Sequence, residues 1–157
     1  MRPPTVKGSY DAMPAEAPAR TEAAVDVFGQ HLFSLRNQLL DGLQRNIESD
    51  EARRRLPTLQ RREYDAVAAL PEEEREAALG LARKAIDLYV QNLLTLLTGT
   101  GDSLSFGPDH AINYRLVLEV KKVKSGEVVE EFNVNRDCRK ALLNYFGRWL
   151  NRHGDHR

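Results

Sequence analysis

Few side chains in this chain are suited to chemistry, and none stands in an arrangement that defines a reaction. Asp109 and His110 are adjacent in a connecting segment, where a carboxylate can orient an imidazole for acid or base work. Neighbours in extended backbone point opposite ways, and no serine or cysteine is marked by spacing as a nucleophile, so a surface pair is the plain reading. His31, among Phe28, Leu32 and Leu35, is a candidate buried base, although a histidine beside an apolar stripe ordinarily packs against it. The run Thr98-Gly-Thr-Gly-Asp-Ser103 has the glycines of a phosphate loop. It follows a helical pattern and leads into a strand pattern, without the Lys-Ser/Thr pair, and therefore reads as an ordinary connection. The four histidines, His31, His110, His153 and His156, include no pair at metal-binding helical spacing, so no metal or cofactor is expected.

Charge offers two further candidates. Arg53, Arg54 and Arg55, followed by Arg61 and Arg62, form a local basic cluster suited to nucleic-acid phosphates, with Asp50, Glu51 and Glu63 beside it. Lys121, Lys122, Glu130 and Glu131 would stand on the charged side of a hairpin, and Arg148 and Arg152 on a terminal helix. Together these make a candidate surface for another protein. Cys138, the only cysteine, excludes an internal disulfide and reads as a small core residue in a reducing compartment.

The elements that must position these groups follow from a change of period near Gly99. Residues 1–20, with Pro3, Pro4, Pro14 and Pro18, read as a flexible tail ahead of a single domain over 21–157. Val25, Phe28, Leu32, Leu35, Leu39, Leu43 and Ile47 recur at three- and four-residue steps and predict a helix over 21–48 with that stripe inward. Leu56-Pro57 breaks the pattern, Thr58 offers a cap for a helix over 59–70, and Pro71 with Glu72 to Glu74 opens another over 71–98.

Beyond Gly99, Tyr114, Leu116, Leu118 and Val120 alternate with Arg115, Val117, Glu119 and Lys121, and a return strand carries Phe132 and Val134. Strands are expected over 103–106, 113–123 and 128–134, as a hairpin or a three-stranded antiparallel meander. Charge favours the register with Val120 opposite Phe132 and Lys121 opposite Glu131 over the alternative with Leu118 opposite Phe132. A last helix over 136–151, capped by Asn135, carries Cys138, Leu142, Tyr145, Phe146, Trp149 and Leu150.

The fold class is therefore α+β. At 157 residues, 41% hydrophobic and 29% charged, the chain can bury one ordinary core. Lys plus Arg equals Asp plus Glu at 23 each, so no net charge draws it to nucleic acid or an anionic membrane. It has neither a secretory leader pattern nor a run of about 18 apolar residues, and a cytoplasmic location without a membrane partner follows. At the level of architecture alone, the layout resembles small immunity proteins and other bacterial accessory modules. The expected function is a non-enzymatic protein-binding or regulatory module. The alternatives are nucleic-acid contact through the arginines, or a small enzyme built on His110 with Asp109, or on His31.

Overall fold

Helical periodicity before Gly99 and alternation after it produce a mainly helical α+β architecture in the computed structural model, which describes residues 10–98, 104–105, 109, 111–112, 114–138 and 140–154. A 3₁₀ turn at Tyr10–Ala12 precedes four helices: α1 (Ala19–Glu48), α2 (Asp50–Arg54), α3 (Thr58–Ala68) and α4 (Glu72–Thr98). Strands β1 (Leu104–Ser105), β2 (Ala111–Ile112), β3 (Val117–Lys121) and β4 (Val128–Asn133) follow, then α5 (Val134–Asp137) and α6 (Leu143–His153). Among the described residues no helix is long and apolar enough to cross a membrane.

Several boundaries depart from expectation for local reasons. Ser49 begins the extra helix α2, its hydroxyl accepting the Ala52 N–H at 3.2 Å. The expected last helix divides. Asn133 caps a single turn, α5, and Cys138 returns to extended backbone before α6 begins. Asn135 is not the cap, because its side chain spans other elements. It accepts the Leu116 N–H at 2.7 Å and donates to the Leu97 carbonyl at 2.6 Å. With Leu116 bonded in this way β3 begins only at Val117, and the described strands do not join as a three-stranded meander. β1 pairs with β2 in one two-stranded sheet and β3 with β4 in another.

The β3–β4 register is the one that charge disfavours: Leu118 faces Phe132 and Glu119 faces Glu131. Phe132 is 4% exposed, and burying such a side chain is worth about 1.5–3 kcal/mol, against about 0.2–1 kcal/mol for an exposed cross-strand charge pair. Glu119 answers the like charge by pairing with Lys121 on its own strand at 2.5 Å. Val120 faces Glu130 while Lys121 faces Val128, so Val129 is the additional residue of a bulge. Gly126, at φ 71°, closes the turn with its N–H on the Lys122 carbonyl at 2.9 Å.

The described residues group into two compact units, one containing those up to Ser34 and from Val90 onward, the other Leu35–Tyr89. In the first, Val25, Phe33, Leu94, Val134, Leu142 and Trp149 are fully buried. The Trp149 indole packs edge-on to Phe28 and stacks on Tyr145, with ring centroids at 6.1 Å and 5.6 Å. It comes close to α1 because Gly29 has no side chain there; a Cβ at Gly29 would overlap the indole. In the second unit, Leu40 and Ile47 are buried alongside two arginines, Arg36 and Arg53. Arg36 grips Asp87 through Nε at 2.5 Å and Nη2 at 3.0 Å.

The buried face of α1 therefore includes Thr21, Val25, Gly29, Phe33, Arg36, Leu40 and Ile47. It is rotated from the stripe expected through Phe28, Leu32, Leu35 and Leu39. Leu35 and Leu39 are exposed, because a glycine and a paired arginine take the inward positions that an apolar count passes over.

Candidate functional site

The alternation of β3 helps to line an open apolar groove in the first unit. Val134 donates its N–H to the Leu116 carbonyl at 3.0 Å and Lys122 donates to the Glu127 carbonyl at 2.9 Å. Even-numbered residues of this stretch thus turn their backbone groups toward β4, and Val117, Glu119 and Lys121 turn theirs to the opposite edge. No other described strand lies on that edge. The side chains of Leu118 and Val120, half-buried, lean instead toward α1.

Between β3 and α1 lies a groove of about 360 Å³, whose walls include Met13, Val27, Phe28, Leu118, Val120 and Phe132. His31 and Glu119 also line it and are its polar members. His31 thus belongs to a groove wall. Among the described residues no cysteine, serine or aspartate lines the groove beside it to act with this histidine in acyl transfer. Asp109 is exposed at a bend, and His110 lies outside the described residues. So does the glycine-rich segment beyond Thr98, where α4 ends. Among the described residues no group of three His, Cys, Asp or Glu side chains is placed to hold a metal.

The charged candidates are largely engaged within the chain. Glu130 receives the Arg20 guanidinium on both oxygens, with Nε at 2.7 Å and Nη2 at 2.7 Å, and Arg20 also covers the Tyr10 ring at 4.8 Å. This hydrogen-bonded pair holds the Glu130 carboxyl below its ordinary range and the Arg20 guanidinium above its own. Arg148 pairs with Asp26 and stacks over Tyr145 at 4.6 Å, and Arg152 reaches the same carboxylate at 3.4 Å. Asp26 also accepts the Trp149 Nε1–H at 3.0 Å, so one half-buried carboxylate satisfies the indole that fills the core. Sequence reasoning missed Asp26; only the charge of the facing arginines hinted at it. Lys122 pairs with Glu127 at 2.7 Å, leaving Glu131 exposed without an ion pair among the described residues.

The arginine cluster divides in the same way. Arg53 caps the end of α1 by donating to the Ile47 carbonyl at 2.5 Å, and its Nε lies 2.8 Å from Asp65. Arg55 pairs with Glu51, and Arg61 donates to the Arg54 and Leu56 carbonyls at 3.1 and 3.3 Å. Arg54 and Arg62 remain exposed. Cys138 is half-buried; burial first, and then the charge of Glu22, push its thiol pKa up, away from the thiolate that reacts. Tyr145, Phe146 and Trp149 are core residues.

Flanking the β3 edge are Arg115 and Lys124, both exposed and without an ion pair among the described residues. Among the described residues the arrangement presents main-chain donors and acceptors without a partner strand, an apolar trough beside them, and a cation without an ion pair beyond each end of β3. No protein-family model, curated protein or solved structure matches the chain.

Proposed function

We propose that the protein is a non-enzymatic binding module that receives an extended segment of a partner protein as an added strand on β3. The segment sets apolar side chains into the groove between β3 and α1 and carries acidic residues toward Arg115 and Lys124. What supports the reading is one juxtaposition: a strand edge without a partner strand among the described residues, alongside an apolar groove of about 360 Å³. Main-chain pairing would supply the register and the groove the selectivity, as in other cases of strand addition. The lone Cys138 suits a reducing cytoplasmic setting. The nucleic-acid reading draws less support, since Arg53, Arg55 and Arg61 are bonded within the chain. The enzyme reading draws less support too, since the described residues that line the groove beside His31 include no serine or cysteine.

A displayed library of random ten-residue peptides, selected on the protein and counter-selected on Val120→Arg, tests the proposal. The expected winners alternate apolar residues, end in acidic ones, and lose at least tenfold in affinity on Val120→Arg. They lose several-fold on the exposed, fold-neutral pair Arg115→Glu and Lys124→Glu. Winners that bind all variants equally, or no enrichment, would overturn it.

A further inference from the structure

The second cleft lies wholly within the Leu35–Tyr89 unit. It encloses about 470 Å³ between α1, α3 and α4, inside the range of small-molecule sites. Its origin is legible in the residues. α3 has no buried residue, and polar bonds tie it down, through Arg53 to Asp65 and from Arg61 to the Arg54 and Leu56 carbonyls. Opposite it α4 presents the small side chains Ala78 and Ala82. Held by polar bonds and faced by alanines, α3 does not close down on α1, and Leu43, Ile47 and Val67 keep apolar surface turned to the space.

The polar lining is sparse and of one sign. Among the described residues that line the cleft Glu63 is the only charged one, joined by the Asn46 and Gln60 amides and the Tyr64 hydroxyl. None of these four side chains is bonded to another described residue, so their hydrogen-bonding capacity is available. Glu63 is exposed and Tyr64 half-buried, which grades the site from an anionic mouth to an apolar floor. An anionic ligand would meet the carboxylate, and a wholly apolar one would leave it unused.

We infer that this cleft binds a small amphipathic amine, its apolar body between Val67, Leu43 and Ala82 and its ammonium at Glu63. The site is independent of the β3 edge. A cation held by one exposed carboxylate gains modestly from charge, so affinity comes mainly from the buried body and the sign preference from Glu63.

Three fluorescent probes with one ring system separate these contributions: 1-pyrenemethylammonium, 1-pyrenemethanol and 1-pyrenecarboxylate, titrated by anisotropy in low salt. The ammonium should bind saturably and about tenfold tighter than the alcohol, with the carboxylate weakest. Glu63→Gln, at an exposed position, should erase the preference while leaving the alcohol's affinity within twofold. Val67→Trp, with helical circular dichroism retained, should abolish binding of all three. Equal affinities for the three probes, a preference that survives Glu63→Gln, or no saturable binding would each overturn the inference.

Discussion

The two units of this chain solve the same packing problem with different materials. Around Trp149, aromatic rings and branched aliphatics meet in a sealed core, and the one polar atom of the indole is answered by Asp26. Between Leu35 and Tyr89 the helices carry alanine, arginine and glutamate, and their buried positions include Arg36 and Arg53. Large apolar volumes expel solvent and define one arrangement, whereas alanines and ion pairs hold helices together without filling the space between them. The first unit accordingly offers a groove at its margin, where no second described strand joins β3 on its open edge. The second has a cleft among its own helices.

The sharpest way to break this contrast is to substitute the centre of the sealed core. Trp149→Ala should cost about 3–5 kcal/mol in urea unfolding, through lost burial and the cavity left behind. Gly29→Val, which drives two methyl groups at the indole, should cost at least the ~1–3 kcal/mol typical of overpacking. A loss below 1 kcal/mol for both would mean that the core is not sealed.

In the second unit the corresponding test is ionic. Asp87→Asn leaves the buried Arg36 guanidinium without its carboxylate. We expect about 2 kcal/mol, less than the ~3–5 of a fully buried pair, because the Asp87 side chain keeps 20% of its surface. Acidification probes the first unit's margin. Because Arg20 depresses the Glu130 carboxyl, the stability it lends is fully present above the ordinary glutamate range and disappears as pH falls through the lowered value. Glu130→Gln should remove that part of the acid sensitivity and leave stability at pH 7 lower. The smallest effect is expected at Leu81, 68% exposed on α4, where Leu81→Glu should change stability by no more than ~0.5 kcal/mol.

Much of the secondary structure was written in the periodicity. Leu93 to Thr98 ending at Gly99, and Leu118 alternating with Glu119, announce helix and strand without any tertiary information. Which face of α1 turns inward was not legible in the same way, because Gly29 is buried for the volume it lacks and Arg36 for the carboxylate it meets. A hydropathy pattern scores both as outward. The hairpin register escaped for a related reason: charge pairing across the strands is visible in the residues, but the tertiary burial of Phe132 is not. The candidate sites were the least legible. Met13, Phe28, His31 and Val120 meet only through tertiary packing, and of these only His31 attracts notice as a side chain. The charged residues that do attract notice, Arg53, Glu130 and Arg148, are bonded to partners within the chain.

Amide hydrogen exchange along β3, followed residue by residue in the free protein and with a selected acidic-ended peptide, tests the central claim most directly. In the free protein the Val117 and Glu119 amides should exchange rapidly while Leu118 and Val120 are protected, and the peptide should slow Val117 and Glu119 by at least tenfold. Protection of Val117 and Glu119 already present without peptide, or no change on saturation, would contradict the account.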